Sequence, residues 1–426
     1  MTRSRTRRQT KTGASAPATN SSGRLSALWV REVLRVLCVK RTATRSEIIA
    51  ETGLNAASLS HTIKYLSRQG TVLKVGSLQS GVGRRREVYN LNAEAAFFLA
   101  LDFEQRLRFA LLGLAGDVRG HWELPLEWGE APDMAKIPQG FHRLLRTLDP
   151  DQLRRVVALG VSYSGMLDEQ GRLTAVNLGL RKFPFVNELN EKMKRLVSPD
   201  LAVFLEPDRH CAMWAERWLG QARERRNAVL VFSESGIGSG LCVDGKPVEG
   251  WRNLAGEIGH VTVSDDPNLR CRCGKLGCLE TVASSPAIIR HYLALTGRRN
   301  RREGTLTVLE VFEKARAGDS RARTVVDKAI EGLAMALSHV IHLVNPEIII
   351  LGGDFAGPED YLIPQLRARL EKLVLPDLMD GIQIVASHLG PDMRVRGAGA
   401  LSLRKSLEDP RLLAKICSPV LPAVKR

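Results

Sequence analysis

Three cysteines within eight residues form the most distinctive cluster of reactive side chains in the sequence. They are Cys271, Cys273 and Cys278, and His260 precedes the first of them by 11 positions. Thiolates and imidazoles are the ligands of tetrahedral zinc sites, and the glycines between the cysteines permit the tight turns such a site needs. A set of three cysteines and one histidine leaves no coordination position open for water. We therefore predict a structural zinc ion. Three reduced surface thiols are the alternative.

Two carboxylates bracket this cysteine-rich segment. Glu257 precedes His260 by three residues, and Glu280 follows Cys278 by two. A bound metal ion would hold the backbone between them rigid. We therefore expect both side chains to project into a common cleft.

Basic residues are concentrated near the N-terminus. Residues 1–92 hold 17 lysines and arginines against 4 acidic residues, a net charge of +13, whereas the whole chain carries +16. Such asymmetry is typical of proteins that bind a polyanion. A basic tail kept for solubility is the alternative, but the charge continues beyond residue 23 into a segment with a regular apolar pattern.

Length and composition predict a cytoplasmic protein of two or three domains. The chain has 426 residues, and its apolar runs are far shorter than the roughly 18 residues of a membrane helix. No apolar stretch follows the basic N-terminus, which excludes a signal peptide from the prediction. Seven cysteines, an odd number, argue against a framework of disulfides.

Residues 24–92 have the pattern of a winged helix-turn-helix domain, after a basic arm over residues 1–23 that we expect to be disordered. The predicted elements are helices from Leu25, over Ser46–Glu51 and over Asn55–Gln69, then strands at Val72–Val75 and Val88–Leu91. Ser46 is the expected N-cap of the second helix, and Gly53 separates it from the third. A small helical subdomain used for dimerisation is the alternative.

The third helix of this domain would enter the major groove of double-stranded DNA. Its exposed polar candidates for base contacts are Ser58, Ser60, His61 and Lys64. Phosphate contacts are expected from Thr42, Thr44 and Arg45, and groove or phosphate contacts from the wing residues Arg84, Arg85 and Arg86.

Beyond Asn92 the pattern changes to alternating strands and helices, which predicts an α/β fold over residues 93–407. The predicted strands are Phe97–Asp102, Phe109–Leu114, Val156–Val161, Ala202–Leu205, Ala228–Phe232, Glu347–Leu351 and Ile382–Ala386. Two of the predicted helices are Arg209–Glu224 and Arg323–Val344. Residues 408–426 are left as a C-terminal tail.

Several motifs resemble those of the ROK family (repressors, open reading frames, kinases), and the resemblance covers about residues 25–406. The zinc motif, Gly256–His260 followed by Cys271–Glu280, resembles the family signature. The wing segment Gly81–Arg86 resembles the Gly-Gly-Arg-Arg-Pro wing of repressor members, which include xylose and N-acetylglucosamine regulators. Leu159–Asp168 is similar to the family's Gly-x-Pro-Gly-x-x-Asp stretch, with Ser164 in place of proline.

This resemblance implies an actin-like ATPase fold with two α/β lobes around a cleft. It also implies zinc on His260, Cys271, Cys273 and Cys278. In sugar-binding members, the residues that match Asp208, Glu257, His260 and Glu280 hold the hydroxyls, and Asp208 matches the catalytic base. Carboxylates beside a metal-oriented imidazole can both accept and donate hydrogen bonds with vicinal hydroxyls.

Other segments depart from the kinase pattern. The family's Glu-Asn-Asp-Ala-Asn stretch reads Glu206-Pro207-Asp208-Arg209-His210 here, so a proline replaces an amide and a bulky cation lies beside the base position. The first phosphate loop, Asp-x-Gly-Gly-Thr-Lys in family kinases, reads Asp102–Leu107 here. It has lost both glycines, and Glu104 adds a repulsive charge.

A second phosphate loop is better preserved over Glu234–Gly240. Its glycines Gly236, Gly238 and Gly240 could present backbone amides to an anion. The turn of a β-hairpin is an equally good interpretation. Taken together, the departures predict that phosphotransfer has been lost, and we expect neither ATP nor magnesium as a cofactor.

The sequence therefore predicts a DNA-binding transcriptional regulator of repressor type, whose sugar-kinase-like domain senses a sugar or sugar derivative. A homodimer or tetramer would bind a palindromic operator, and an effector that prefers one arrangement of the lobes would change its affinity for DNA. One alternative is an active ATP-dependent sugar kinase with a DNA-binding head. Another is a ligand-independent regulator controlled by a protein partner.

Overall fold

The computed structural model describes residues 26–78, 86–104, 106–126, 132–297 and 306–418. The predicted basic arm and the wing residues Arg84 and Arg85 lie outside these ranges. The chain divides between Leu91 and Asn92 into two compact units. Among the described residues, no helix is both long enough and apolar enough to cross a membrane.

The first unit combines helices with a small antiparallel sheet. Its described elements are α1 (Ala27–Lys40), β1 (Thr42–Thr44), α2 (Arg45–Thr52), α3 (Ala56–Arg68), β2 (Val72–Leu78) and β3 (Arg86–Leu91). The strands pair in the order β1-β3-β2. Leu34, Leu37, Ile48, Leu59 and Leu66 are fully buried, so one apolar face of each helix points into a shared core.

The start of α2 differs from the prediction. Thr44, and not Ser46, is the N-cap: the Glu47 amide donates to the Thr44 hydroxyl, and the Thr44 amide donates to the Glu47 carboxylate at 2.7 Å. This reciprocal pair is a capping box, which satisfies two amides that would otherwise lack partners. The helix ends at Gly53 in the left-handed conformation (φ 68°), where glycine is favoured.

The second unit carries the predicted α/β pattern. Its described strands are β4 (Phe97–Phe103), β5 (Arg106–Gly113), β6 (Val118–Pro125), β7 (Val156–Tyr163), β8 (Met166–Leu167), β9 (Leu173–Ala175), β10 (Leu180–Phe183), β11 (Ala202–Pro207), β12 (Ala228–Ser233), β13 (Ile237–Val243), β14 (Lys246–Pro247), β15 (Ile348–Gly353) and β16 (Gln383–Ala386). Its described α-helices are α4 (Lys136–Leu145), α5 (Pro150–Arg154), α6 (Phe185–Leu196), α7 (Asp208–Leu219), α8 (Leu279–Ala283), α9 (Ser285–Leu295), α10 (Val308–Arg316), α11 (Ser320–Val344), α12 (Glu359–Leu373), α13 (Pro376–Met379), α14 (Met393–Glu408) and α15 (Pro410–Ile416).

Two five-stranded sheets with the same connectivity organise this unit. One has the order β11-β7-β4-β5-β6 and the other β14-β13-β12-β15-β16. In each sheet the first three strands along the chain form an antiparallel meander. The fourth strand pairs in parallel with the first, and the fifth pairs in parallel with the fourth. We call the parts built on these sheets the first lobe and the second lobe.

Apolar side chains fill both faces of the central strands. In β12, Val229 and Val231 belong to one core cluster, whereas Leu230 and Phe232 belong to another. This alternation follows the two-residue period of a strand, and it explains why the segment reads as a continuous apolar run. Helices α9 to α12 complete the first of these clusters, and α7 completes the second.

Helices α7 and α14 connect the lobes. They pack against each other, α14 also packs on β4 and β7 of the first lobe, and α7 also packs on β13 of the second. We assign α14 to the first lobe. Since Asp208 begins α7 and Arg394 lies in the first turn of α14, both helices begin near the gap between the lobes.

The seven strands predicted from the sequence are confirmed, with small differences at their ends. In the described part of the C-terminal tail predicted over residues 408–426, α15 packs on α14 and β7 of the first lobe. Leu413 and Ile416 of α15 are buried, and Lys415 Nζ donates to the carbonyl of Val156 at 2.6 Å. Strand β6, the small sheet β8–β10 and several of the helices were not predicted from the sequence.

Candidate effector cleft and metal centre

A cavity of about 540 Å³ lies between the two lobes of the second unit. Its size is within the range of small-molecule sites in proteins. The first lobe contributes Glu104, the segment Ser164–Met166, Arg181 and Arg394 to its lining. The second lobe contributes the turn Glu234–Gly236 and the segment that contains the predicted zinc ligands. The lining is therefore rich in charged groups.

The four predicted zinc ligands are brought together at one wall of this cavity. The ligand atoms of His260, Cys271, Cys273 and Cys278 all lie within 4.8 Å of one another. Cys273 Sγ is 3.7 Å from Cys278 Sγ, and Cys271 Sγ is 3.6 Å from His260 Nδ1. Two sulfurs at zinc's usual bond length of about 2.3 Å in a tetrahedron are separated by about 3.7 Å. The cluster could therefore hold a metal ion, and its donor set and spacing fit zinc.

Glycine is required for the shape of this knuckle. Gly277 has a φ of 66°, and a Cβ there would lie 1.7 Å from the carbonyl oxygen of Ser264. Any side chain at this position would push apart the two segments of the knuckle, which also pair through the bridge between Thr262 and Cys278. The glycines between the cysteines thus serve the backbone geometry that brings the ligands together.

The predicted sugar-binding residues Asp208, Glu257, His260 and Glu280 all line the same cavity. Burial raises the pKa of Asp208 above its ordinary value, and the guanidinium groups of Arg394 and Arg209 offset this in part. Burial also raises the pKa of Glu280, which the charge of His260 partly offsets. The arrangement is one of several acceptors and one imidazole around a polar space, which suits a ligand with several hydroxyl groups.

A family model described as "ROK family" matches residues 136–405. The chain belongs to the ROK family. The resemblance stated from the motifs is thereby confirmed, and the matched region includes the cysteine cluster, the predicted sugar-binding residues and the whole sheet of the second lobe.

Relatives of this ROK protein include proteins named as kinases and proteins named as repressors. A glucokinase of Halalkalibacterium halodurans is 31% identical over 316 residues, which cover 69% of this chain and 91% of the glucokinase. A xylose repressor of Bacillus spizizenii is 21% identical over 385 residues, which cover 89% of this chain and 95% of the repressor. The repressor therefore matches a larger share of the chain than the glucokinase does.

A crystal structure described as a ROK family transcriptional regulator, homologous to the E. coli MLC protein, has the same fold. It superposes with a TM-score of 0.74 at 24% identity and covers 92% of this chain and 98% of the other. The fold is thus the mixed α/β, actin-like kinase fold of the ROK family.

Arg209 occupies the position where the family's kinase pattern has alanine, and its side chain enters the cleft. It is 4% exposed, and its Nη1 pairs with Glu257 Oε1 at 3.1 Å. Its Nε and Nη2 donate to the carbonyls of Ala255 at 2.7 Å and Asn253 at 2.5 Å. Arg209 therefore holds the segment that precedes the zinc knuckle, and it engages one of the predicted sugar-binding carboxylates.

His210, which replaces the second asparagine of the pattern, points away from the cavity. It is buried, and its Nδ1 lies 3.3 Å from Glu206 Oε1. Pro207 ends β11 and immediately precedes α7. Of the five residues Glu206–His210, only Asp208 and Arg209 line the cavity.

The segment with the three glycines of the predicted second phosphate loop is a β-hairpin. β12 and β13 pair in antiparallel register from Ser233 and Ile237 onward, so Gly238 and Gly240 lie inside a strand and only Gly236 lies in the turn. A Cβ at Gly240 would lie 2.8 Å from the carbonyl oxygen of Arg209, so this glycine permits close packing on α7. The hairpin interpretation is confirmed, and the phosphate-loop role of Gly236, Gly238 and Gly240 stays a prediction.

An arginine-centred cluster of charges lies between the two predicted phosphate loops. Arg394 Nε contacts both carboxylate oxygens of Asp102 at 3.1 and 3.2 Å, and its Nη1 pairs with Glu234 Oε2 at 2.7 Å. Asp102 also accepts from Ser162 at 2.9 Å and pairs with Arg108 at 3.2 Å. We call Asp102, Arg108, Glu234 and Arg394 the Arg394 cluster.

Electrostatic effects in this cluster are strong. Burial opposes the charge of Arg394, but Asp102, Glu234, Glu104 and Asp208 together hold its pKa well above the ordinary value. Burial raises the pKa of Glu234, and Arg394 lowers it in part. Four carboxylates thus surround one buried guanidinium group, with Arg108 as a second cation at the edge.

The candidate DNA-contacting residues of the first unit differ in their accessibility. His61 and Lys64 are exposed on α3, and Arg86 is exposed at the start of β3. Ser58 and Ser60 are half-buried, and the Ser60 hydroxyl accepts a hydrogen bond from Arg45 Nη1 at 3.2 Å. Arg45 also donates to the Tyr89 hydroxyl at 3.2 Å.

Thr42 and Thr44 differ in the same way. Thr42 is exposed, whereas Thr44 is 6% exposed and its hydroxyl caps α2. This local role leaves the Thr44 side chain little surface for a phosphate contact, which is the physical reason to prefer Thr42 and Arg45 for that role.

Sequence reasoning missed Arg394 and its contacts. Arg394 lies 292 positions from Asp102 along the chain, and no local motif marks it. The replacement of the first phosphate loop was a signal that could have been used. Without a metal ion and a phosphate beside it, a buried Asp102 needs another cation as partner. The sequence gives no indication of which cation that is.

Proposed function

We propose that this protein is a sequence-specific, DNA-binding transcriptional regulator of repressor type, whose cleft binds a sugar or sugar derivative and which no longer transfers phosphate. The Arg394 cluster is the observation that carries this proposal. It joins the two segments that cradle phosphates in the kinase pattern of the family through ion pairs between side chains.

The charge around this position also opposes nucleotide binding. Glu104 and Glu234 line the cavity at the turn, and Asp102 is already engaged by two arginines. A triphosphate would meet the carboxylates of Glu104 and Glu234 instead of backbone amides and a magnesium ion. Phosphotransfer in this cleft would therefore require the cluster to be dismantled.

The cavity lining also retains the groups that suit a polyhydroxylated effector. Asp208, Glu257, His260 and Glu280 supply acceptors and an imidazole. A ligand that satisfies them gains specificity, because a ligand without matching hydroxyls leaves buried polar groups unpaired. The Arg209 pair with Glu257 implies that the hydroxyl pattern recognised here differs from that of the family's kinases.

Zinc would be held by His260, Cys271, Cys273 and Cys278. When bound, it would supply rigidity rather than a reactive site, since the four ligands fill its coordination shell. His260 Nε2 lies 3.9 Å from Glu257 Oε2, so fixing the ring at Nδ1 also orients a polar pair that faces the effector.

The first unit is proposed to be the winged helix-turn-helix that reads DNA. Its order of elements, its exposed His61 and Lys64 on α3, and the basic residues of the N-terminal segment support this role. The match to a repressor over 89% of this chain supports it as well. A homodimer or tetramer in the cytoplasm would place two such helices on a palindromic operator.

Regulation requires only that the effector and the operator prefer different states of the protein. If DNA lowers the affinity for the effector, the effector lowers the affinity for DNA by the same factor. This reciprocity gives the proposal a quantitative check that does not depend on knowing the path between the two sites.

The experiment is a fluorescence anisotropy titration of double-stranded DNA from upstream of the coding sequence, with the wild type and two variants. Lys64→Ala removes a predicted base contact and should weaken specific binding by about 1–3 kcal/mol, with little change for unrelated DNA. Lys372→Ala, at an exposed position on α12, is the matched control and should change the affinity for neither the upstream DNA nor unrelated DNA. Equal behaviour of the two variants would contradict the DNA-reading role of α3.

An active sugar kinase is the second candidate, and Asp208 is the observation that favours it. A buried carboxyl with a raised pKa at the start of α7 is what a general base needs. A coupled assay with magnesium, ATP and a panel of hexoses and pentoses tests this directly. ADP formation that depends on a sugar and disappears in Asp208→Asn would favour the kinase over the regulator.

A further inference from the structure

Two polar contacts cross the cleft at the same place. Glu234 Oε2 of the second lobe pairs with Arg394 Nη1 of the first lobe at 2.7 Å. The adjacent Ser235 donates from its hydroxyl to Glu104 Oε1 of the first lobe at 2.9 Å. Glu234 and Ser235 belong to the turn between β12 and β13, so a single tight turn of one lobe is held by two side chains of the other.

The first-lobe side of these contacts is fixed in advance. Arg394 is 2% exposed, and its Nε is held by both oxygens of Asp102, which is fully buried. Ser162 and Arg108 hold Asp102 in turn. Because its neighbours determine the position of the guanidinium group, little conformational entropy is lost when it pairs with Glu234.

The second-lobe side is also rigid. The Glu234 amide donates to the carbonyl of Gly236 at 3.0 Å, which closes the turn. The flanking strands are paired from Ser233 and Ile237 outward. Two rigid partners that meet through a short charged contact and a hydroxyl contact form a connection that is either made or broken, with few intermediate arrangements.

We propose that these contacts form a cross-lobe latch, made of Glu104, Glu234, Ser235 and Arg394, that holds the cleft closed without nucleotide. The latch takes the position of the phosphates, so charges within the chain replace the ligand that would otherwise join the lobes. It rests on the proposed function in one respect: the cleft that it holds closed is the effector site.

The latch has a consequence for regulation. With the latch made, the cavity is already formed and its acceptors face one another, so the closed protein is the form that binds an effector. A ligand that binds this form stabilises it. In a variant without the latch, part of the binding free energy is used to close the cleft, so the ligand binds more weakly. Breaking the latch therefore weakens effector binding even though Glu104 and Ser235 are not among the predicted sugar-binding residues.

Hydrogen exchange measured by mass spectrometry on the full chain tests the latch, with neither DNA nor sugar present. The variants are Glu234→Gln, Ser235→Ala and Glu104→Ala. We expect each to raise exchange at least about threefold on both sides of the cleft, at the β12–β13 turn and at the facing ends of β4 and β5, although each changes only one lobe. Asp327→Asn is the control, because it breaks a 2.8 Å pair with Arg369 that lies wholly within the second lobe.

A double variant separates a shared contact from independent damage. Ser235→Ala combined with Glu104→Ala should raise exchange no further than Glu104→Ala alone, because that single change already removes the hydroxyl contact. Exchange that rises only in the mutated lobe, or singles whose effects multiply in the double variant, would overturn the latch. Since no DNA or sugar enters this experiment, failure of the regulator proposal would leave its result intact, and failure of the latch would leave DNA binding untouched.

Discussion

Among the variants proposed for this protein, Arg394→Met is expected to lower the free energy of unfolding the most. The methionine stem retains much of the packing but removes the guanidinium group from Asp102 and Glu234. Asp102 is fully buried, and Ser162 and Arg108 remain as its partners. Removal of one partner from a buried ion pair costs about 3–5 kcal/mol, because the remaining charge stays in a low-dielectric surrounding.

A cost of about 4 kcal/mol corresponds to a shift in Tm of about 6 °C for a unit the size of Asn92–Val420, since the entropy of unfolding scales with the number of residues. Differential scanning calorimetry of the full chain measures this shift in the transition of the larger unit. Arg394→Lys keeps the positive charge but loses the planar guanidinium group, so the decrease in Tm should be roughly half that of Arg394→Met.

Two further variants control the measurement. Adding Glu234→Gln to Arg394→Met should recover about 1–2 kcal/mol, because it removes one of the carboxylates left without a cation. Arg411→Met breaks an ion pair with Asp409 in which the arginine is 90% exposed, and it should leave Tm unchanged. A shift below about 1.5 °C for Arg394→Met, equivalent to less than about 1 kcal/mol, would refute the reasoning that this cluster is a buried, interdependent set of charges.

Three other predictions concern the cleft. Cys273→Ser should lower zinc affinity at least about 100-fold, measured as metal content after dialysis, whereas Cys417→Ser, a buried cysteine outside the cluster, should retain the metal. Arg209→Ala removes charged donors from the carbonyls of Asn253 and Ala255, and should speed hydrogen exchange in that segment at least about tenfold; unchanged exchange would show that Arg209 does not hold it. Asp208→Asn should raise Tm near pH 7.5 and not near pH 4. The pKa of Asp208 is raised by burial, so the stability present below its ordinary value of 3.8 is lost as the pH rises through the folded-state pKa. A higher Tm at both pH values would contradict this.

Periodicity in the sequence was sufficient to predict most of the sheet framework. The buried strands read as short apolar runs, such as Ile348–Leu351, because both of their faces are covered. The weaker elements were missed for a related reason. β6 alternates between exposed and partly buried residues, and the strands β8–β10 have only two to four residues each, so neither has a continuous apolar run.

The cysteine cluster was predicted correctly from local sequence, whereas the N-cap of α2 was not. Close spacing along the chain made the grouping of Cys271, Cys273 and Cys278 predictable, and the need of zinc for a fourth ligand pointed to His260. The cap of α2 was assigned to Ser46 because serine is a good N-cap, but Thr44 followed by Glu47 forms the reciprocal pair that a single hydroxyl cannot. A search for the pair instead of the single residue would have found it.

Contacts that span hundreds of residues lie beyond such reasoning. The replacement of alanine by Arg209 indicated a cation beside the base position, but the carbonyls that it holds lie 44 and 46 residues away. The pairing of Arg394 with Asp102 and Glu234 depends on how α14 packs on the first lobe, which no local pattern encodes. The sequence therefore revealed which residues depart from the kinase pattern, and the structure was needed to find what those residues contact.

The most direct test of the account is the affinity of the purified protein for DNA upstream of its own coding sequence, measured against unrelated DNA at two salt concentrations, with and without a panel of sugars. We predict binding that falls steeply with salt, exceeds binding to unrelated DNA by about 10³-fold or more, and is changed by at least one sugar without any ADP being formed in the presence of ATP. Equal affinity for both DNAs at each salt concentration, together with sugar-dependent ADP formation, would contradict the central claim that this cleft senses a ligand for a DNA-binding regulator.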